Sequence, residues 1–239
     1  MNLNLTEVVI LISIAKVHHN PLKIDVNDPS LALYLPLWYQ SADMIGSTTI
    51  YSYDRNRFTG TVAFAVWTPQ GRSFDGTDDY ITLPNHSTLN MTTGITIMSW
   101  AKIDLYSSAA NYDVLLDKET QYALASYDTT GVIGFYLNTA VGWVYTTAGQ
   151  GIFTLAGFCH IAVTWDGANR CWYKNGALIK TLADSGTMST GTKSIRVGAL
   201  SDSGTLPFDG TVGEVLVYSR ALTAGEIANY YLATKWRYV

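Results

Sequence analysis

Three carboxylates that lie close together are the first residues whose types and spacing suggest chemistry. Asp75, Asp78 and Asp79 fall within five residues, and carboxylate oxygens are hard ligands of the kind that calcium prefers. Their spacing is not that of an EF-hand loop, and the Asp75-Gly76 pair is typical of a turn. The segment is either a weak calcium site or an ordinary solvated turn, and the sequence favours the turn.

A second group with chemical potential consists of aromatic residues in the middle of the chain. Trp143 and Tyr145 are two positions apart, so on a β-strand their side chains share one face and form a platform on which a sugar ring can stack. Half of the aromatic residues in an antiparallel strand normally fill the core, and the two interpretations are balanced here because such a sheet can keep one face in solvent. The other candidates for sugar contact are Tyr106, Tyr112, Tyr122 and Tyr127.

The sequence lacks the motifs of the common catalytic classes. It contains no G-x-S-x-G, H-E-x-x-H, C-x-x-C or phosphate-binding loop. The adjacent His18 and His19 have no cysteine or third histidine nearby to complete a zinc site. Cys159 and Cys171 flank a predicted hairpin in which Thr164 faces Cys171, so roughly 17 Å of strand separates the two cysteines. That distance is too long for a disulfide, and we predict two free thiols.

The composition describes a weakly charged globular protein. The chain has 239 residues, of which 48% are hydrophobic and 14% charged, with 16 Tyr, 7 Trp and 7 Phe. Ordinary soluble domains contain about 25% charged residues. The 15 Lys and Arg are outnumbered by 19 Asp and Glu, which argues against binding to nucleic acid.

The elements that must position these residues are mainly short strands separated by turns, which is typical of an all-β sandwich or barrel. A polar stretch at 41–60 predicts a loop, and Thr223-Ala224-Gly225-Glu226 is a capping box that predicts the start of a helix near the C-terminus. Trp100, Trp165 and Trp172 are predicted to fill the core. We predict strands at 31–39, 80–83, 94–103, 113–118, 121–127, 132–137, 142–147, 159–165, 170–174, 177–182, 194–200 and 211–219.

The first thirty residues are predicted to form an N-terminal arm, separate from a domain at 31–239. Residues 8–15 are a run of eight residues, all apolar except Ser13, that is too short to span a membrane. The run lacks the preceding positive charge and the following small-residue site of a signal peptide. Its Ile and Val content favours a strand. Alternate positions along it then become candidates for contacts with a second copy of the chain, namely Val8, Ile10, Ile12 and Ile14.

Four stretches of the domain together resemble a known family. The most specific are FCHIAVTWDGANRCWYKNGALIKT at 158–181, with its Asp-Gly turn and terminal Asn-Gly, and FDGTVGEVLVYSRALTAGEIANYY at 208–231. SFDGTDDYITLP at 73–84 and GITIMSWAKI at 94–103 add to them. In order and spacing they resemble the laminin-G-like (type 3) modules of the concanavalin A-like superfamily, over roughly residues 31–235. The resemblance implies a jelly-roll sandwich of two antiparallel sheets, with a short C-terminal helix and the N-terminal arm as additions.

The resemblance also bears on metal binding and catalysis. Some relatives hold calcium at an edge of the sandwich, which adds Asp209 and Glu214 to the calcium candidates; no other cofactor is implied. The superfamily includes glycosidases, and retaining glycosidases need two carboxylates about 5 Å apart. Glucanases of the superfamily carry them on one strand face as Glu-x-Asp-x-Glu or a near variant, and none of the four glutamates of this chain lies in a Glu-x-Asp-x-Glu run. We therefore expect no enzyme activity.

Two functions follow as hypotheses. The first is a non-catalytic, lectin-like module that binds glycans or cell-surface ligands through exposed aromatic residues. The second is a structural or assembly protein, such as a virion decoration or surface-layer subunit, that contacts copies of itself through the N-terminal arm. Both place the chain at an extracellular surface or on a virion. A fold alone does not decide between them.

Overall fold

The protein folds as a sandwich of two antiparallel β-sheets. The computed structural model describes residues 24–39, 47–106, 112–119, 121–127, 129–145, 155, 157–201, 203 and 205–239. The strands, numbered in chain order, are β1 (Leu31–Pro36), β2 (Thr49–Tyr51), β3 (Thr59–Ala63), β4 (Val66–Thr68), β5 (Gly71–Asp75), β6 (Tyr80–Leu83), β7 (Ile95–Ile103), β8 (Tyr112–Lys118), β9 (Tyr122–Tyr127), β10 (Val132–Leu137), β11 (Trp143–Tyr145), β12 (Cys159–Trp165), β13 (Asn169–Lys174), β14 (Ala177–Ala183), β15 (Ile195–Val197) and β16 (Asp209–Tyr218).

Each sheet has eight strands. Sheet 1 has the order β14-β13-β12-β7-β16-β5-β4, and β1 pairs with β16 beside this path. Sheet 2 has the order β11-β10-β9-β8-β15-β6-β3-β2. The main core lies between the sheets and includes Trp165 and Trp172, which are fully buried as predicted. This architecture confirms the predicted fold class.

A helix covers the outer face of sheet 1. Helix α1 (Ala224–Thr234) begins with the predicted capping box between Thr223 and Glu226, and a 3₁₀ turn (Lys235–Arg237) follows it. A second apolar cluster, which contains Met98, Leu216 and Ile227, lies beneath the helix. Trp100 is buried as predicted, but on this outer face, where its Nε1 donates to Thr234 Oγ1 at 2.8 Å. Because β7 is covered on both sides, the strand has almost no exposed residue.

Each predicted strand has a counterpart in the structure, but β2, β3, β4 and β5 were not predicted. Strand β2 and the first residues of β3 lie within 41–60, which we predicted as a loop. That prediction was wrong because the polar residues of the stretch favour strands only weakly, and the pairing of β3 with β6 overrides this local preference. The predicted hairpin register is confirmed, since Thr164 pairs with Cys171 and both cysteines are free. Residues 1–23, with Val8, Ile10, Ile12 and Ile14, lie outside the described residues.

No helix among the described residues has the length and apolar character needed to cross a membrane.

A buried arginine ties the two sheets together. Arg170 on β13 of sheet 1 is fully buried, and its Nε lies 2.5 Å from Asp184 Oδ2. One terminal nitrogen of its guanidinium donates to the carbonyl oxygens of Phe135 at 2.9 Å and Gly142 at 2.7 Å. The other donates to Thr139 Oγ1 at 2.9 Å. All three of those acceptors belong to the β10–β11 hairpin of sheet 2, so Arg170 fixes that hairpin against the opposite sheet.

His160 on β12 is fully buried and its imidazole ring is surrounded by aromatic side chains. Its ring lies among Trp100, Tyr230 and Tyr231, with ring centroids 5.4 to 6.1 Å away. Neither ring nitrogen has a hydrogen-bond partner in the described part of the chain. Burial lowers the pKa of His160 to about 3, so the native protein holds this imidazole neutral.

We expect Arg170→Met to destabilise the protein by about 3–5 kcal/mol, because removal of one partner leaves a buried charge on Asp184 without compensation. Chemical denaturation of the purified variant measures this loss. The double variant Arg170→Met/Asp184→Leu removes both charges and should recover much of the loss. A single variant as stable as the parent protein would show that the ion pair does not hold the sheets together.

Acid should destabilise the protein through His160. The unfolded chain takes up a proton near the ordinary pKa of 6.5, whereas the native state does so only near 3. The free energy of unfolding is therefore at its full value above pH 6.5, where the imidazole is neutral in both states, and it decreases as the pH falls toward 3. We expect His160→Leu to reduce the pH dependence of the free energy of unfolding over this range by about one proton. Denaturation of the parent protein and the variant at a series of pH values measures the change, and an unchanged pH dependence in the variant would contradict the prediction.

Candidate functional site: an aromatic sheet face

Five aromatic side chains gather on the outer face of sheet 2, where no helix covers the described strands. They are Tyr112 on β8, Tyr127 on β9, Tyr136 on β10, and Trp143 and Tyr145 on β11, and all five are half-buried. The strand registers explain the clustering: Tyr112 pairs with Tyr127, and Tyr136 pairs with Trp143. Directly paired residues point to the same side of a sheet. We call these five residues the aromatic face.

The rings of the aromatic face form a continuous set of contacts. Trp143 and Tyr145 are nearly parallel, with an interplanar angle of 2° and centroids 6.1 Å apart. The ring centroids of Tyr136 and Trp143 are 5.3 Å apart, and those of Tyr127 and Tyr145 are 4.8 Å apart. The ring centroid of Tyr112 is 5.2 Å from that of Trp143 and 5.0 Å from that of Tyr127. Since each ring touches its neighbours, none can change rotamer without disturbing another.

The hydroxyl groups of Tyr112 and Tyr145 hydrogen-bond to each other. Their strands, β8 and β11, are three strand steps apart, which corresponds to about 14 Å. Two tyrosines can meet over that distance only if both side chains lie along the sheet instead of standing out from it. Burial, and then the hydrogen bond with Tyr112, raises the pKa of Tyr145 far above its usual range, so this phenol stays neutral.

Small residues make room for the rings. Gly134 on β10 pairs with Tyr145 on one side and Ala125 on the other. A β-carbon at Gly134 would lie 3.0 Å from the ring of Tyr145 and 3.2 Å from that of Trp143. Ala125 is fully buried, although it faces away from the main core. The absence of side-chain bulk in this row therefore lets the aromatic side chains lie along the sheet.

Two of the sequence candidates lie elsewhere, and one member of the face was missed. Tyr122 is fully buried in the main core and donates to the Leu89 carbonyl at 3.1 Å. Tyr106 packs against that core, and burial raises its pKa. Tyr136 was missed because VIGFYL at 132–137 looks like a uniformly buried strand. The strict alternation of Ile133, Phe135 and Leu137 toward the core could have placed Tyr136 outside.

The structure brings four of the five calcium candidates together. Asp75, Asp78 and Asp79 have carboxylate oxygens within 4.8 Å of one another, and Asp209 pairs with Asp75 across β16 and β5. The pKa of Asp79 is raised, mainly by burial and then by the charges of Asp75 and Asp78, although a hydrogen bond from the Asp75 amide opposes the shift. These oxygens fit the preference of a hard divalent cation, which would relieve that repulsion.

Glu214 does not belong to this acidic cluster. It is fully buried beneath the C-terminal segment, where its Oε2 accepts from Trp38 Nε1 at 3.2 Å and Arg237 at 3.4 Å. Burial raises the pKa of Glu214, while the charge of Arg237 opposes the shift. Glu214 is five residues from Asp209 along β16, roughly 16 Å at strand spacing. The two acids cannot share an ion, and Glu214 is buried inside the fold.

A polar cleft of about 580 Å³ lies apart from the aromatic face, and none of its described lining residues belongs to that face. Arg55, Asn56, Ser87, Thr88 and Asn90 are among the residues that line it. No Asp or Glu is found among its described lining residues. It is a second place where a small polar molecule could bind, and it provides control positions for experiments on the aromatic face.

Comparison with solved structures identifies similar folds at low sequence identity. The binding domain of Paraclostridial Mosquitocidal Protein 1 matches 84% of this chain and 52% of its own, with a TM-score of 0.62 and 14% identity. For the binding domain of Botulinum Neurotoxin DC in complex with SialylT, the match covers 87% of this chain and 52% of the other, with a TM-score of 0.63 and 14% identity. For Trypanosoma rangeli sialidase in complex with sialic acid, the match covers 98% of this chain and 40% of the other, with a TM-score of 0.64 and 15% identity. The chain thus spans about half or less of each matched chain.

No curated protein sequence is similar enough to this chain to count as a match. A family model, described as Concanavalin A-like lectin/glucanases superfamily, matches residues 75–228. That range runs from the end of β5 into helix α1 and includes every residue of the aromatic face. The chain therefore belongs to the laminin-G type 3 family of the concanavalin A-like lectin/glucanase superfamily.

Proposed function

We propose that this chain is a non-catalytic, lectin-like module that binds glycans on the aromatic face. The observation that carries the proposal is the set of five half-buried, mutually contacting rings on the open side of sheet 2. Aromatic rings present an apolar surface with a negative π-face, and the C–H groups of a pyranose ring pack well against such a surface. Laid along the sheet, these side chains form a platform for several sugar units.

The setting of the rings supports binding without catalysis. On β8 to β10, the side chains that share the outer face with the rings are Val114, Asp117, Ala123, Ala125 and Val132, along with Gly134. Asp117 is the one acid among them; it is buried, and its Oδ2 accepts from the Ser201 amide at 2.7 Å. Glycoside hydrolysis needs a pair of carboxylates that flank the bond to be broken. The buried Glu214 cannot supply one, because it lies under the C-terminal segment against sheet 1.

The structural relatives add support at the level of the fold. Two of them are complexes, one with SialylT and one with sialic acid. A sandwich of this kind therefore occurs in proteins that bind sugars, although a fold alone does not transfer a ligand. An extracellular surface is the location that this function requires. The alternative role in assembly depends on residues 8–15, which lie outside the described residues, and stays a prediction from the sequence.

We expect Trp143→Ala to weaken glycan binding about tenfold, since a lost aromatic contact is worth about 0.5–1.5 kcal/mol. A glycan array identifies a ligand, and isothermal titration calorimetry measures its affinity for the parent protein and the variant. Trp236→Ala is the matched control, because Trp236 is 53% exposed at the C-terminus and lies outside the aromatic face. This control should bind like the parent protein.

Gly134→Leu tests the platform without removing any ring. The new side chain must displace Tyr145 and Trp143, whose rings lie 3.0 and 3.2 Å from the position of a β-carbon. We expect weaker glycan binding together with a changed near-ultraviolet circular dichroism spectrum. Arg55→Ala, in the polar cleft, is the control for location. If Arg55→Ala abolishes binding while Trp143→Ala and Gly134→Leu leave it intact, the proposed site is wrong.

A further inference from the structure

We propose that the aromatic face is specific for neutral glycans and discriminates against sialylated and other anionic ones. This inference rests on the proposed function and names the ligand class of the same site. A sugar carboxylate is held most strongly by charge-assisted hydrogen bonds from a cation at the point of contact. In the described part of the chain, the aromatic face and its surroundings offer no cation that is free of internal contacts, for reasons that appear in both the sequence and the structure.

The segment that builds the face is almost free of cations. Residues 103–169 include all of β8 to β11 and the connections between them, and Lys118 is their one Lys or Arg. Lys118 is fully buried, and its Nζ donates to Asn85 Oδ1 and the Lys193 carbonyl, each at 2.9 Å. The stretches at 107–111 and 146–154, which adjoin Tyr112 and Tyr145 in the chain, contain neither Lys nor Arg. No cation from this segment is available to a ligand.

Two cations of sheet 1 approach the face, and both donate to acceptors of the protein itself. The ammonium of the half-buried Lys180 donates to the Tyr145 carbonyl and lies 5.2 Å from the centre of the Trp172 ring. The guanidinium of Arg170 is fully buried and bonded to Asp184 and the β10–β11 hairpin. If either side chain turned toward a ligand, an acceptor within the protein would lose its partner.

The described cation that shares the outer face of sheet 2 is Arg196 on β15. In register it pairs with Asp117 on β8, and β15 is three strand steps from Tyr136 on β10, about 14 Å away. Its guanidinium lies 4.2 Å from the centre of the Tyr80 ring and donates to Thr82 Oγ1 at 3.2 Å and the Leu200 carbonyl at 2.9 Å. Arg196 is therefore held away from the rings.

An anionic sugar on these rings would lose hydration without gaining a counter-charge. Transfer of a charged group to an apolar surface is unfavourable unless a counter-charge compensates it. The hydroxyls of Tyr112 and Tyr145 already bond to each other. A neutral sugar avoids these costs, because its apolar C–H groups lie on the rings while its hydroxyls point into water.

The decisive experiment compares matched ligands on the full chain. Isothermal titration calorimetry at low salt would use N-acetyllactosamine oligomers with and without terminal sialic acid, together with a neutral glucose hexasaccharide. We expect a neutral ligand to bind and its sialylated counterpart to bind at least about tenfold more weakly, with a smaller difference at high salt because charges are screened. Binding of the neutral ligand should fall in Trp143→Ala.

A charge-insertion pair tests the cause. Thr129 is exposed in the turn that follows Tyr127, so Thr129→Arg brings a cation to the edge of the face, and Thr129→Gln is the matched neutral control. We expect the arginine variant, but not the glutamine variant, to reduce the difference in affinity between sialylated and neutral ligands. Equal or tighter sialoside binding by the parent protein, lost in Trp143→Ala, would overturn the neutral specificity while leaving the glycan-binding function intact. A lack of binding to any glycan would overturn both.

Discussion

The fully buried guanidinium of Arg170 is the interaction on which the site depends. It starts on β13 of sheet 1 and ends on the carbonyl oxygens of Phe135 and Gly142 in sheet 2, with Asp184 as its counter-charge. The β10–β11 hairpin carries Tyr136, Trp143 and Tyr145 at the edge of its sheet, where strands are normally the least constrained. A planar guanidinium with five donors can satisfy several buried acceptors at fixed angles. It therefore gives an edge hairpin the fixed position that a binding surface needs.

The two outer faces of the sandwich are covered in different ways. Helix α1 covers sheet 1 and buries Trp100, His160 and Glu214 beneath it. On sheet 2, tyrosine and tryptophan rings cover the small side chains between them, as the burial of Ala125 shows. Both the helix and the rings keep water from the strands, but only the rings on sheet 2 leave an aromatic surface available to a ligand. The low charge content of the chain fits this arrangement, because rings occupy a surface that charged side chains occupy in most proteins.

The fold could be predicted from the sequence more completely than the site. Strand alternation, the turn at Asp166-Gly167 and the capping box at Thr223 depend on local pattern, and each agrees with the structure. The aromatic face depends on which strands become neighbours, since Tyr112 and Tyr145 meet across two intervening strands. No local pattern reports such a pairing. For the same reason the sequence did not show that Glu214 contacts Trp38, which is 176 residues away in the chain. Glu214 was therefore grouped with the calcium candidates, from which it is distant in the structure.

Two of the proteins with a similar fold are complexes with SialylT and with sialic acid. The side chains on the aromatic face say more about the ligand of this chain than the shared fold does. A sandwich can carry a ligand site on any of its faces or loops, and side chains at that site decide the ligand. Here the cations closest in sequence and space, Lys118, Lys180 and Arg170, all donate to acceptors within the protein. The proposed specificity therefore has the same origin as the stability of the hairpin. Cations that hold the protein together do not stand on the aromatic face, and a face without cations would select ligands by shape and apolar contact.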